Sequence, residues 1–186
     1  AGLPTGVIVQ LEDTSGKKDQ VRLSAVTGTE KFYSIAASLF DDVDLTHITA
    51  IVILLEEDRL VDKTSTLHVR FGNHPFIPTV ASDPTKTAAD VSLFNGIKHL
   101  VSFDSNASDG NPEGTATLAQ ISKTRFNVTY NLTNEDSFGG SISSFDDFGT
   151  LAKESISLSG QTLILGVRDA GLPTGVIVQL EDTSGK

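Results

Sequence analysis

Residues 6–12 of this chain read Gly-Val-Ile-Val-Gln-Leu-Glu, and this stretch decides the fold class. Val7, Val9 and Leu11 fall on one face of an extended backbone, whereas the polar Gln10 falls on the other. An alternation with a period of two predicts a half-buried β-strand.

The stretch occurs twice. Residues 1–17, AGLPTGVIVQLEDTSGK, return without a change as residues 170–186. Self-similarity at a long fixed period is typical of tandem arrays. We therefore expect the chain to be one period of a longer polypeptide plus a short overlap, cut out of register with the folded unit. An engineered permutant or a duplicated tag is the alternative.

Period-two alternation continues along the chain. Turn-forming residues at 13–19 separate the first strand from Gln20–Leu23, which predicts a hairpin. A short helical turn is predicted at 36–40. Further strands are predicted at 31–35, 50–55, 67–71, 99–103, 115–121, 126–132, 140–144, 155–158 and 162–167. Many short strands with regular turn signals favour an all-β jelly roll or β-sandwich.

Residues 72–96 interrupt this pattern. They contain Pro75, Pro78 and Pro84 and a polar run, which predict a linker between folded units. Residues 97–186 would then form the first half of a jelly-roll unit, and residues 1–71 the second half. In this interpretation the chain is circularly permuted relative to the folded unit.

Taken from residue 97 onward, several segments follow the order of a known sandwich. They are Leu100–Asp104, Phe126–Leu132, Phe138–Gly140, Ser157–Gly160, Val176–Asp182, Lys31–Ile35, Ser38–Phe40 and Asp44–Ile48. This order resembles the galactose-binding-domain-like jelly rolls of many non-catalytic carbohydrate-binding modules. The resemblance implies a sandwich fold, and it raises calcium and glycan as ligands.

The densest polar cluster lies at residues 104–113. Calcium takes six to eight oxygen ligands from a flexible loop, and Asp104, Asn106, Asp109 and Glu113 supply carboxylate and amide oxygens. The resemblance implies a structural calcium near the first strand, which fits this position. A solvated turn is the alternative interpretation.

Sugar binding by such modules usually requires exposed aromatic rings. The chain contains no Trp and only two Tyr residues. Tyr130 is in phase with Phe126 and Val128, so we expect it to be buried. Tyr33 is therefore the candidate carbohydrate-binding residue.

Composition restricts the partners. A formal net charge of −10 disfavours nucleic acid and anionic membranes. The longest apolar run, Ile51–Leu55, is far shorter than a membrane span. The absence of Cys, together with abundant Thr, Ser, Asp and Gly, fits an extracellular or cell-surface protein.

The sequence gives little sign of catalysis. Carboxylate pairs such as Glu56–Glu57 are adjacent, so in a strand they would point to opposite faces and could not flank one substrate. The four His residues have no metal-ligand spacing. We expect no enzymatic activity.

The duplicated strand suggests a role in assembly. A jelly roll has one place for this strand, and the chain carries two copies of it. We expect a structural repeat of a secreted fibre, adhesin or surface-layer protein, assembling with copies of itself or neighbouring repeats through strand complementation or tandem linkage. A calcium-dependent carbohydrate-binding module is the alternative function. The predicted assembly positions are Val7, Val9, Leu11, Val176, Val178 and Leu180.

Overall fold

The computed structural model describes residues 8–12, 18–23, 25–72, 97, 99–122, 124–145, 155–171 and 177–182. Strands dominate this part of the chain. They are β1 Ile8–Glu12, β2 Lys18–Arg22, β3 Lys31–Ala36, β4 Ile48–Glu56, β5 Thr64–Phe71, β6 His99–Asp104, β7 Thr115–Ser122, β8 Arg125–Asn131, β9 Phe138–Ser144, β10 Thr162–Asp169 and β11 Ile177–Asp182. Short 3₁₀ turns occur at Ala37–Leu39, Glu57–Arg59 and Ala107–Asp109. None of the described helical segments has the length and apolarity that a membrane span requires.

The strands form two sheets. The first has the order β2-β1-β11-β4-β9-β6, and the second has the order β3-β10-β5-β8-β7. Neighbouring strands are antiparallel in both sheets, except that β1 and β11 run parallel. The all-β, sandwich-like fold class predicted from the alternation is confirmed.

One apolar core joins the two sheets. Ile51, Ile53 and Leu55 of β4 contribute to it from the first sheet, and each is 0% exposed. Phe126 and Leu165 are examples from the second sheet. β-Branched residues fill β4 because they fit a pleated, buried surface. Its apolar sequence on both faces predicts a central strand, and β4 indeed lies between β11 and β9.

Strands from the two ends of the sequence interleave in both sheets. β4 lies between β11 and β9, and β5 lies between β10 and β8. The predicted linker falls almost wholly on residues 73–96, which lie outside the described residues. The division of the chain into two halves of a permuted unit therefore stays a prediction.

Most predicted strands are present with shifts of one to three residues at their ends. The strand predicted at 155–158 is wrong, because only Ile156 makes a bridge, with Ile48. The chain then bends: the Leu158 N–H donates to the Leu45 carbonyl rather than to a ladder partner. The helical turn predicted at 36–40 is confirmed by the 3₁₀ turn at Ala37–Leu39.

Candidate functional site: the strand slot beside β4

The place next to β4 in the first sheet is the candidate assembly site. We call it the β4 slot: the edge of β4 that faces away from β9 and is occupied by β11. Six positions of β11 pair with β4, from Ile177 opposite Leu54 to Asp182 opposite Ile48, with an irregularity at the last step. An occupant is required here because the backbone groups of a buried strand must find partners.

The two copies of the repeated segment lie side by side in this sheet. β1 pairs with β11 in parallel, and each residue faces its own duplicate: Val9 faces Val178, Gln10 faces Gln179, and Leu11 faces Leu180. β1 also pairs with β2 in an antiparallel ladder at five positions. Both copies therefore run antiparallel to β4, but only β11 contacts it as a ladder partner.

The predicted assembly positions are brought together by this pairing. Positions 178 and 180 pair with Ile53 and Ile51 in β4. Val9 and Leu11 are their ladder partners in β1. Val7 and Val176 lie outside the described residues.

A buried hydrogen-bond cluster fixes the chain where the second copy begins. Asp169 is 0% exposed, and its Oδ1 accepts from Ser65 Oγ at 2.6 Å and from the Gly171 N–H at 2.8 Å. The Gly171 N–H also donates to Ser65 Oγ at 3.0 Å. The Gly171 carbonyl accepts from the Asp62 N–H at 3.1 Å. This cluster, Asp62–Ser65–Asp169–Gly171, anchors the start of the β11 copy. Sequence reasoning missed it, because the polar partners are about a hundred positions apart in the chain.

Tyr130 packs against the same cluster. It is buried, as predicted, and its hydroxyl donates to the Asp62 carbonyl at 3.5 Å. Burial and the nearby Asp169 carboxylate raise the pKa of Tyr130. The phenol is therefore neutral at physiological pH, which suits a structural role beside a carboxylate.

The predicted calcium loop forms an internally hydrogen-bonded turn. Asn106 Oδ1 accepts from the Asp109 N–H at 3.1 Å, and Asn106 Nδ2 donates to Asp109 Oδ2 at 2.6 Å. Asp104 Oδ2 accepts from the Ala116 N–H at 2.8 Å, whereas Glu113 is exposed and binds Asn134 through its carbonyl. Asn106, Asp109 and one carboxylate oxygen of Asp104 thus already have protein partners, and calcium binding at these four residues stays a prediction.

Another group of carboxylates converges elsewhere. Asp19, Asp41 and Asp42 place oxygen atoms within 4.8 Å of one another. Among the described His, Asp and Glu residues, no other set of three comes as close. Asp41 and Asp42 are exposed, and Asp19 Oδ2 accepts from the Asp42 N–H at 3.3 Å, as in an ordinary solvated turn.

Tyr33 packs at the edge of the core. It lies on β3 opposite Leu165, and its ring is partly buried against the core. Lys31 Nζ lies over one face of the ring at 4.8 Å from its centre. Burial raises the pKa of the Tyr33 phenol. One ring face is thus already occupied, and glycan binding by Tyr33 stays a prediction.

A cleft of about 400 Å³ lies at the end of β4. Leu54, Phe103 and Phe138 line it with apolar surface, and Glu56 and Glu57 both line it. The expectation that Glu56 and Glu57 point to opposite faces applies to a strand, but β4 ends at Glu56 and Glu57 begins a 3₁₀ turn.

The charges in this cleft are largely paired. Lys63 Nζ lies 2.6 Å from Glu57 Oε1, and Arg59 Nε lies 3.0 Å from Asp58 Oδ2 and 3.7 Å from Glu56 Oε2. Burial, and then the Asp58 carboxylate, raise the pKa of Glu56. The cleft has the character of an ion-paired surface at the end of the strand.

Comparison of the chain with protein families, with curated proteins and with solved structures finds no match. The functional argument therefore depends on the geometry of the β4 slot and the two copies that can occupy it.

Proposed function

We propose that this chain is a structural repeat of an extracellular fibre, adhesin or surface-layer protein. It assembles head to tail, through β-strand complementation between chains or through tandem linkage within a longer chain. One observation carries the proposal: β1 and β11, which have the same sequence, are neighbours in one sheet, and β11 lies beside β4.

The composition and burial of β4 support this proposal. Eight of its nine positions are apolar or small, and most are buried on both faces. Such a strand needs a ladder partner on each side, because an exposed apolar edge invites pairing with other chains. β9 satisfies one side, and a copy of the repeated segment satisfies the other.

Two copies compete for one slot, which favours assembly. If the β11 segment of one chain enters the β4 slot of a second chain, the ladder contacts are the same as within one chain. The donor and acceptor surfaces are different, so the contact is heterologous and extends into a filament. Strand addition of this kind draws its affinity from main-chain hydrogen bonds.

Tandem linkage uses the same slot. In a continuous array, the segment at 170–186 would be the first segment of the next period, and each unit would complete its sheet with the strand that follows it. The composition, rich in Thr, Ser, Asp and Gly, agrees with an extracellular location.

The first test is polymerisation of the full chain. Sedimentation velocity and negative-stain electron microscopy across a concentration series should reveal filaments whose length rises with concentration. An excess of the synthetic peptide AGLPTGVIVQLEDTSGK should shorten them, because it fills the slot without offering a new one. The matched control is the same peptide with Pro in place of its only Gln, which breaks the ladder and should have no effect.

The denatured mass of the native polypeptide separates the two routes. A mass many times 19.7 kDa would support tandem linkage. A native mass of one period, combined with a strictly monomeric chain at every concentration, would refute the proposed assembly by either route.

A further inference from the structure

The two copies of the repeated segment are related by a simple displacement within the sheet. β1 and β11 are parallel and in register, and β11 is antiparallel to β4. A shift of β1 by one strand spacing, about 4.8 Å, would place Val9 opposite Ile53 and Leu11 opposite Ile51. The sequences are identical, so the order of the residues paired with β4 would be unchanged.

The two copies differ in what holds them. β1 is paired with β2 at five positions, and β2 contacts the core through Val21. β11 pairs with β1 and β4, and the Asp62–Ser65–Asp169–Gly171 cluster anchors the residues at which its copy of the repeated segment begins. Release of β11 from its slot therefore breaks two ladders but leaves the β1–β2 hairpin intact.

Release of β11 alone would be costly, because Ile51, Val52 and Ile53 are at most 2% exposed and their strand edge would lose its partner. Occupation of the slot by β1 restores a ladder of the same sequence and register. The duplicate thus removes the main free-energy penalty for freeing β11.

We infer that β1 is an intramolecular replacement for β11 in the β4 slot. The exchange keeps β4 paired while it releases the β11 segment to a second copy of this chain. The destination of the released strand rests on the proposed function, whereas the exchange itself is a property of the single chain.

The natural absence of Cys makes the exchange measurable by disulfide trapping in the full chain. One row of the sheet runs through Val52, Gln179, Gln10 and Gln20, in that order. In the described arrangement, positions 52 and 10 are two strand spacings apart, about 9.6 Å. That separation exceeds the Cα–Cα reach of a disulfide, about 4.4–6.8 Å.

Three double-cysteine variants then measure which strand lies beside position 52. Val52→Cys with Gln179→Cys should cross-link quickly, and Val52→Cys with Gln10→Cys should cross-link within the monomer as exchange proceeds. Val52→Cys with Gln20→Cys is the matched control, because position 20 is not adjacent to β4 in either arrangement. Cross-linking of the Gln10 variant at least tenfold faster than the Gln20 control is expected. Equal rates for these two variants would overturn the inference.

A pair of proline substitutions provides an independent readout. Gln10→Pro and Gln179→Pro place the same change in the same sequence context, and each should leave the hydrogen-exchange protection of the β4 amides largely intact. The double variant should lower that protection at least tenfold more than the product of the two single effects. If Gln179→Pro alone lowers protection as much as the double variant, β1 does not replace β11.

The two proposals can fail separately. Cross-linking between positions 10 and 52 in a chain that never forms filaments would overturn strand complementation between chains but leave the exchange standing. Filaments formed by a chain without this cross-link would overturn the exchange but leave the assembly standing.

Discussion

The backbone N–H of Gly171 donates a hydrogen bond to Oδ1 of Asp169 at 2.8 Å, where the second copy of the repeated segment begins. The carboxylate is fully buried and also accepts from Ser65 Oγ. Hydrogen bonds to a charged acceptor contribute more than neutral ones, and a buried donor without a partner is costly. The relationship therefore ties the first residues of the second copy to the core of the second sheet.

Asp169→Ala should lower the free energy of unfolding by about 2–3 kcal/mol, because it removes the acceptor of the part-buried Ser65 hydroxyl and of the buried Gly171 N–H. Denaturant unfolding monitored by circular dichroism measures the change. Arg168→Ala, at the exposed neighbouring position, is the control and should stay within about 0.5 kcal/mol of the parent. An equal effect of the two substitutions would mean that the anchor contributes nothing.

Gly140 allows β9 to approach β4. A Cβ atom at this position would lie 1.9 Å from the Ile53 carbonyl oxygen, which is far inside van der Waals contact. Gly140→Ala should therefore separate the two strands and destabilise the fold by about 3 kcal/mol. In the control, Gly28→Ala, the nearest atom is 3.8 Å away. Thermal melting of the two variants should differ clearly, and a wild-type melting temperature for Gly140→Ala would contradict the close approach.

Ser141 places a buried hydroxyl on the core-facing side of β9. It is 0% exposed, and its Oγ has no hydrogen-bond partner among the described residues. Ser141→Ala removes this unsatisfied group and should stabilise the protein by about 1 kcal/mol. Ser34→Ala, on the exposed side of β3, should change stability little. A loss of stability in the Ser141 variant would show that the hydroxyl has a partner.

Asp44 carries the largest downward pKa shift of the described carboxylates. Its pKa is lowered to about 2, first by the Thr46 hydroxyl, then by the Thr46 N–H and by His47. Because the folded pKa lies below the unfolded value, these bonds stabilise the turn above about pH 4. That contribution is lost as the pH falls from about 4 towards 2.

Carboxyl-carbon NMR titration of Asp44 should give a midpoint near 2 in the parent. Thr46→Val removes the largest cause of the shift and should move the midpoint towards the ordinary Asp value, about 3.9. Thr117→Val, an exposed threonine on another strand, should leave the Asp44 midpoint unchanged. If the Asp44 midpoint is unchanged in Thr46→Val, the Thr46 hydroxyl does not cause the lowered pKa.

The alternation of apolar and polar residues was sufficient to predict most strands. It worked for β5 and β8, where Leu67, Val69, Phe126 and Val128 are all buried. It failed at 155–158, where Ser-Ile-Ser-Leu alternates but finds only one bridge, because so short a segment can pack in a loop as well as in a ladder.

Only part of the candidate site could be predicted from the sequence. The duplication of Val9 and Leu11 at 178 and 180 could be read directly, and it predicted competition for one place in a sheet. The anchor at Asp169 could not be predicted, since its partner Ser65 is 104 positions away. The cleft at Glu56 was missed for a related reason, because strand alternation does not extend into the turn that follows.

The all-β class and the two equal copies of one strand can be read from the amino-acid sequence, because both properties are local patterns of side chains. Which copy lies beside β4, and the parallel pairing of the other copy with it, are properties of the folded chain. Identical sequences have identical local preferences, so this choice depends on contacts made elsewhere: the β1–β2 hairpin at one end and the Asp169 anchor at the other.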